Sequence, residues 1–183
     1  MTAQMREKLM YNGEEYWMVN EPFSHYVSLK KLDLVLNFTS TALYRGYLGE
    51  WEIDDGRLYL TGITGHGKLR NQAKFLEGRL ALRRNLKQGL ITPQQHGHLL
   101  KQLRNDCMEE IHLSLQSLFQ SRRKVFSEWY TGTLKAPFGE LLQYVHALYG
   151  SIYEKTMFIT VENGVVTGQW VEENHLDGRS SAG

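Results

Sequence analysis

Alternation of apolar and polar residues predicts β-strands in both ends of the chain, joined in pairs by tight turns. Asn12-Gly13, Asp55-Gly56 and Asn163-Gly164 each separate two short alternating runs. These dipeptides favour two-residue hairpins because both central residues of a type I′ turn need a positive φ angle. The predicted hairpin strands cover residues 8–11 and 14–19, 51–54 and 57–63, and 153–161 and 165–171.

In the middle of the chain the apolar period becomes helical. A first helix is predicted over residues 68–88, with Gly89 as its stop signal. One apolar stripe of this helix consists of Leu69, Ala73, Leu76 and Leu80, and a second consists of Phe75, Leu82 and Leu86. Both stripes need burial. One could face the sheet and the other a partner or second copy, or the helix could lie between the sheet and the next helix.

A second helix is predicted to begin at Pro93, because Thr92 is a typical N-cap and proline suits the first helical position. It should reach about Leu103 or beyond. Its apolar stripe continues toward Phe119, with a break near Asn105. Two helices between strand-rich segments predict a helical hairpin inserted in a β protein.

The predicted fold class is therefore α+β: a curved antiparallel sheet of about six to eight strands with an inserted two-helix hairpin. Residues 1–173 are predicted to form a single domain with a helical insert over about residues 67–120, and residues 174–183 are predicted to form a flexible tail. Two segments stay ambiguous. Residues 28–37 could be a short helix or contain a strand at 32–36, and residues 140–145 could be either.

Cysteine content and hydropathy predict a cytoplasmic location. The single cysteine, Cys107, excludes an internal disulfide, which is typical of a reducing compartment. The N-terminal residues lack the apolar core of a signal peptide, and no run approaches the ~18 apolar residues of a membrane span. No membrane partner is expected. Cys107 lies in an apolar helical pattern and is expected to be buried.

Charge is distributed unevenly along the chain. Residues 66–124 hold 12 Lys or Arg and four Asp or Glu. The other residues hold nine Lys or Arg and 16 Asp or Glu, so the molecule is dipolar although its net charge is only +1. A basic helical segment can bind an anionic partner, or it can be a solvated face, or it can neutralise the acidic β part within the fold. A slightly basic isoelectric point does not single out nucleic acid.

One motif suggests phosphate binding. Residues 62–68, with Gly62, Gly65, Gly67 and Lys68, satisfy the spacing Gly-x4-Gly-Lys between a predicted strand and a predicted helix. In such a loop, backbone N–H groups surround the phosphates and the lysine supplies counter-charge. Against this, position 69 is Leu, where the motif needs Ser or Thr for Mg²⁺. The alternative is a glycine-rich linker that enters a helix.

Several pieces of the chain together resemble a known type of domain. They are Trp51-Glu-Ile-Asp-Asp-Gly-Arg-Leu-Tyr-Leu60, Trp129-Tyr-Thr-Gly-Thr-Leu134, Tyr149-Gly150 and Tyr153-Glu154, about a third of the chain. They are similar to an uncharacterised bacterial α+β domain family, to which the helical insert is additional. The resemblance implies a bacterial cytosolic protein and carries no function and no catalytic residue.

We therefore expect a non-enzymatic binding protein that masks or recruits a macromolecular partner, as immunity, defence or counter-defence proteins do. A protein is the favoured partner, and a homodimer formed through the helical insert is an alternative. No cofactor, metal or catalytic residue is expected. The alternative is a nucleotide- or nucleic-acid-binding protein that uses the 62–68 segment and basic helix 68–87. The predicted partner-binding residues are Arg70, Lys74, Arg79, Arg83, Arg84 and Lys87.

Overall fold

The computed structural model describes residues 2–175 of the chain. It contains four helices: α1 (Pro22–Leu29), α2 (Gln72–Lys87), α3 (Pro93–Asp106) and α4 (Leu115–Phe119). It contains ten strands: β1 (Glu7–Tyr11), β2 (Glu14–Met18), β3 (Leu34–Leu36), β4 (Tyr47–Asp54), β5 (Arg57–Arg70), β6 (Met108–His112), β7 (Val125–Phe126), β8 (Gly132–Gln143), β9 (Ile152–Glu162) and β10 (Val165–Glu173). The fold class is α+β.

The strands form one large mixed sheet that is open. Its main path runs in the order β2-β1-β4-β5-β10-β9-β8, and β3, β6 and β7 pair with β5 beside that path. The prediction of an antiparallel sheet is wrong at one place, because β1 and β4 pair in parallel. The number of strands, ten among the described residues, is also higher than the six to eight predicted.

The three predicted hairpin turns are confirmed. Asn12 and Gly13 have φ angles of 52° and 80°, the left-handed values that a type I′ turn needs. Asp55-Gly56 and Asn163-Gly164 have the same left-handed conformation and connect β4 to β5 and β9 to β10. These turns fix which residues pair, and hence which side chains of each strand enter the core.

β5 is the longest strand and joins two parts of the fold. Its first half pairs with β4 and β7, whereas its second half, from His66 to Arg70, pairs with β6 and with β3. The helices α2 and α3 connect the end of β5 to the start of β6. The helical stripe predicted to continue toward Phe119 is interrupted, because residues 108–112 form β6 and only 115–119 return to helix.

Both ambiguous segments contain strands, and the predicted tail is partly held by hydrogen bonds. Residues 34–36 are a strand, preceded by helix α1, and residues 140–143 belong to β8. Asn174, in the predicted tail, is held by hydrogen bonds from its side chain to Tyr153 O and Thr156 Oγ1, both 2.9 Å long. Residues 176–183 of that tail lie outside the described residues.

The hydrophobic core combines side chains of the sheet with side chains of α1 and α4. Trp51 is fully buried at its centre, beside Leu9 of β1 and Leu60 of β5. Phe23 of α1 packs edge-to-face against Tyr47 of β4, with 5.2 Å between ring centroids. This core contains no residue of α2 or α3.

Candidate functional site

Local sequence signals position α2 and α3, together called the helix pair. Asn71 caps α2 by accepting a hydrogen bond from Lys74 N (3.0 Å). Thr92 and Gln95 form a capping box at the start of α3, as the sequence predicted for Thr92. The two helices approach closely at Gly78, where a Cβ would meet the side chain of Leu103.

One face of α2 is exposed and carries both leucines and cations. Phe75 is buried and Leu82 and Leu86 are half-buried, so this stripe is the inner one. On the opposite side, Leu76 is 51% exposed and Leu80 is 60% exposed. The exposed face of α2 is defined by Ala73, Leu76, Leu80, Arg83, Arg84 and Lys87. Of the two alternatives left open by the sequence, the one in which α2 lies between the sheet and the next helix is therefore wrong, because Leu76 and Leu80 are exposed.

The cations of α2 have no carboxylate partner in residues 2–175. Lys74, Arg79, Arg83, Arg84 and Lys87 are all exposed, and no Asp or Glu oxygen in that part of the chain lies within 4.0 Å of their side-chain nitrogens. The helix pair holds seven Lys or Arg against two acids. Its charge is therefore not neutralised by the acidic β part, one of the alternatives that the sequence left open.

Other cations of the basic segment do have internal partners. Lys124 Nζ lies 3.1 Å from Glu52 Oε2 and 2.5 Å from Asp54 Oδ2, both on β4. Lys68 Nζ lies 3.2 Å from Glu110 Oε1 on the neighbouring strand β6. These pairs are exposed, and each contributes little stability in water.

Arg70 differs from the other predicted partner-binding residues. It is the last residue of β5, and its side chain is 15% exposed. Its guanidinium forms an ion pair with Asp33 and lies 4.9 Å from the ring centroid of Phe75. Arg70 thus joins the helix pair to the segment before β3, and it lies outside the exposed face of α2.

The glycine-rich segment is a strand, so the expectation of a loop at residues 62–68 is wrong. Gly62, Gly65, Gly67 and Lys68 all lie within β5, where they pair with β4, with β6 or with β3. A phosphate-binding loop needs consecutive N–H groups that point into one concavity. In β5 successive N–H groups point to opposite sides and bond to neighbouring strands.

Close packing explains two of these glycines. A Cβ on Gly65 would lie 2.6 Å from Gly46 O and 2.7 Å from Leu113 Cδ1. A Cβ on Gly67 would collide with Val35 O and lie 3.2 Å from Leu36 Cα. Backbone atoms of β3 and of the loop before β4 therefore occupy the space that a side chain would need.

We predict that Gly67→Ala destabilises the protein by roughly 1–3 kcal/mol, because the added methyl group displaces the β3 backbone. Gly97, in α3, has open space around its Cα, so Gly97→Ala should instead stabilise by about 0.5–1 kcal/mol. Urea unfolding of both variants measures the difference. Equal effects would contradict the packing explanation.

A buried polar cluster, absent from the sequence predictions, lies where β1, β4 and α1 meet. Glu7 of β1 is 1% exposed and accepts a hydrogen bond from Trp51 Nε1 (2.6 Å) through Oε2. Arg45 Nε lies 3.2 Å from Glu7 Oε1, and Arg45 Nη1 donates to Met5 O (2.9 Å) and to Tyr149 OH (2.7 Å). Tyr149 OH in turn donates to Glu21 Oε1 (2.8 Å).

Burial controls protonation in this cluster. Desolvation raises the pKa of Glu7 from 4.5 to about 7, although the Arg45 guanidinium and the Trp51 hydrogen bond act in the opposite direction. Burial also raises the pKa of the Tyr149 phenol far above its ordinary range, as does its hydrogen bond to Glu21. A carboxyl with a pKa near neutrality is a common catalytic acid. The Glu7 side chain is 0% exposed, so a substrate cannot reach this carboxyl.

Two histidines also come together across strands. His66 of β5 pairs with His112 of β6, with 4.4 Å between ring centroids. Among residues 2–175, no group of three or more His, Cys, Asp or Glu is arranged to hold a metal ion. Cys107 is fully buried at the end of α3, as the sequence predicted.

Comparison with known proteins gave no match: no protein-family model, no curated protein and no solved structure matches the chain. The resemblance to an uncharacterised bacterial α+β family therefore stays a prediction. Among the helices of residues 2–175, none combines the length and the apolar composition that crossing a bilayer requires. The cytoplasmic location also stays a prediction.

Proposed function

We propose that the protein is a non-enzymatic binding protein that uses the exposed face of α2 to bind an acidic surface on a partner protein, and so masks or recruits that partner. In this view the helix pair is a hairpin inserted between two neighbouring strands of the sheet, β5 and β6. The observation that carries the proposal is the exposure of Arg83, Arg84 and Lys87 without internal carboxylate partners in residues 2–175.

The leucines on the same face favour a protein over nucleic acid as the partner. Leu76 and Leu80 are more than half exposed and lie on the same helix face as Arg83, Arg84 and Lys87, which follow them along the chain. Contacts to phosphates use cations and polar groups, and exposed leucines add nothing to them. A protein interface, in contrast, has an apolar centre with charges at its rim. Leucines followed by Arg and Lys on one helix face are the pattern that a protein surface with an apolar patch beside its carboxylates would complement.

Binding of defined anionic probes tests this proposal. The purified chain is titrated into a fluorescein-labelled random copolymer of glutamate and tyrosine, and separately into single-stranded and double-stranded oligonucleotides. We expect tighter binding of the copolymer than of either oligonucleotide at about 200 mM salt, because burial of apolar groups survives the screening that weakens phosphate contacts. Replacing both Leu76 and Leu80 by Ser should weaken copolymer binding about tenfold.

A matched charge change controls for net charge. The variant Arg83→Glu/Arg84→Glu/Lys87→Glu should lose copolymer binding. The variant Lys30→Glu/Arg122→Glu/Arg123→Glu changes the net charge equally at exposed positions outside the helix pair, and it should retain binding. Tighter binding of oligonucleotides, abolished by the first variant, would instead support the nucleic-acid alternative. Equal losses in both triple variants would reject a specific site on α2.

A further inference from the structure

The exposed face of α2 has the residue spacing at which one helix packs along another. Its strip, as we call it, has five residues separated by three, four, three and four positions: Ala73, Leu76, Leu80, Arg83 and Lys87. This spacing repeats every seven residues, so the strip turns by only about 20° per heptad around the helix. At about 1.5 Å per residue, the strip extends about 21 Å along α2. A partner element that covers it must run along α2 for that length.

The strip has an apolar part followed by a cationic part. Leu76 and Leu80, in its first half, are both more than half exposed. Arg83 and Lys87 form its second half, and Arg84 lies beside them. These three cations are exposed and lack a carboxylate partner in residues 2–175. The element that complements the strip therefore carries apolar residues in one half and carboxylates in the other.

α2 offers side chains to this element but no main-chain partners. Its backbone N–H and C=O groups bond to one another within the helix. Both ends are capped as well, because Asn71 accepts a hydrogen bond from Lys74 N and Gln88 N donates one to Arg84 O. An extended segment needs N–H and C=O partners outside itself, whereas an α-helix satisfies its own backbone groups. A helix can therefore pack along the strip through side chains alone.

The opposite side of α2 already packs against a helix. Phe75 is buried there, and the Cα of Gly78 lies against the side chain of Leu103 on α3. A second helix on the strip would place α2 between α3 and the partner. Both apolar stripes of α2 would then be covered, as a helix with two such stripes requires.

Charge makes a second copy of the chain a poor occupant of the strip. The helix pair holds seven Lys or Arg against two acids. Two copies that met along α2 would bring together like charges that neither copy neutralises, and each such contact opposes association. The favoured occupant is therefore a different protein with carboxylates at the matching positions.

An anionic lipid surface is also a poorer occupant than a helix. Helices that bind in the membrane interface have a wide apolar face, commonly with aromatic side chains. The aromatic residue of α2, Phe75, is buried on the side opposite the strip. The apolar part of the strip is limited to Ala73, Leu76 and Leu80. This narrow apolar area matches the contact line of a single helix.

We infer that the partner protein binds through an amphipathic α-helix of about four turns that packs along the strip of α2. Apolar residues of that helix contact Leu76 and Leu80, and its carboxylates pair with Arg83, Arg84 and Lys87. The inference rests on the proposed function, since it names the element by which the partner contacts the same face. Its own content is that this element is helical.

Two labelled peptides of identical composition test the helical form. Both contain Leu, Glu, Ala and Gln over about three heptads. In the heptad peptide, Leu in one half and Glu in the other follow the 3-4 spacing, whereas in the alternating peptide they occupy every second position. Fluorescence anisotropy with the full chain measures binding at about 150 mM salt. We expect the heptad peptide to bind at least about tenfold more tightly and to gain helical circular dichroism on binding.

A proline in the middle of the heptad peptide, at a Gln outside the spacing, should weaken binding at least about tenfold, and alanine there should not. Two protein variants, Leu76→Ser/Leu80→Ser and Arg83→Glu/Arg84→Glu/Lys87→Glu, should each lose the heptad peptide. The variant Lys30→Glu/Arg122→Glu/Arg123→Glu should keep it.

The outcomes separate this inference from the proposed function. Equal affinity for the two peptides, lost in the α2 variants, would overturn the helical form and leave the proposed function in place. Binding of the glutamate–tyrosine copolymer without binding of the heptad peptide would have the same meaning. Failure of all three probes to bind would reject both. Tighter binding to phosphatidylglycerol vesicles than to the heptad peptide would replace the helix by a lipid surface.

Discussion

Trp51→Ala is expected to destabilise the protein by about 3–5 kcal/mol, the range for deleting a fully buried aromatic side chain. Two effects combine in this variant. A large cavity opens at the centre of the core, and Glu7 Oε2 loses its hydrogen bond from Trp51 Nε1. Since small domains have a total stability of about 5–15 kcal/mol, the variant should be at the limit of folding. Urea unfolding followed by circular dichroism measures the change.

Two further substitutions separate the causes. Trp51→Phe retains most of the ring volume but removes the N–H that donates to Glu7. This variant should therefore lose about 1–3 kcal/mol of stability. Trp17→Ala removes a tryptophan that is half exposed on β2, and it should lose no more than about 1 kcal/mol. If Trp17→Ala destabilised as strongly as Trp51→Ala, the assignment of the core would be wrong.

Stability is expected to fall as the pH rises from about 4.5 to about 7, because of Glu7. Its pKa is raised from 4.5 to about 7 by burial. Between these values the folded state holds a proton that the unfolded state releases, so raising the pH favours unfolding. Below this window both states are protonated, and above it both are ionised. Integrated across the window, the contribution amounts to about 3 kcal/mol.

The control for this pH dependence is Glu7→Gln, which keeps an oxygen for the Trp51 hydrogen bond but does not titrate. Urea unfolding of both proteins at a series of pH values gives the difference in their free energies of unfolding. That difference should change by about 3 kcal/mol in favour of the variant between pH 4.5 and pH 7. A constant difference would show that Glu7 titrates equally in both states.

The parts of the fold that could be predicted from the sequence are those fixed by neighbouring residues. The Asn-Gly and Asp-Gly turns follow from local φ preferences, and the start of α3 follows from Thr92 and Pro93. Each signal acts within four residues, so it holds whatever the rest of the chain does. The positions of three hairpins and of the second helix were correct for this reason.

The parts that depend on distant pairing could not be predicted in this way. Residues 62–68 have the composition of a loop, and they form a strand because β3, β4 and β6 come from other parts of the chain to pair with it. Likewise, the sequence of β6 continues the apolar stripe of the preceding helix, so a helix was predicted there. The inner face of α2 depends on α3, because Gly78 and Leu103 meet there.

The buried cluster carried a signal that sequence reasoning missed. Glu7 and Leu9 are two residues apart on a strand, so they share the side of β1 that faces the core. That alternation identifies Glu7 as a candidate buried carboxyl. Its partners cannot be found in the same way, since Arg45 comes from the loop before β4 and Tyr149 from the loop before β9.

The central claim, that the exposed face of α2 binds a partner protein, is tested most directly by photocrosslinking in the cells that make the protein. A benzophenone amino acid is placed at Leu80 on α2 or, as a control, at Leu29, which is 62% exposed at the end of α1. We predict one protein adduct from position 80, lost in the variant Arg83→Glu/Arg84→Glu/Lys87→Glu, and none from position 29. Adducts only to nucleic acid, or the same adducts from both positions, would contradict the account.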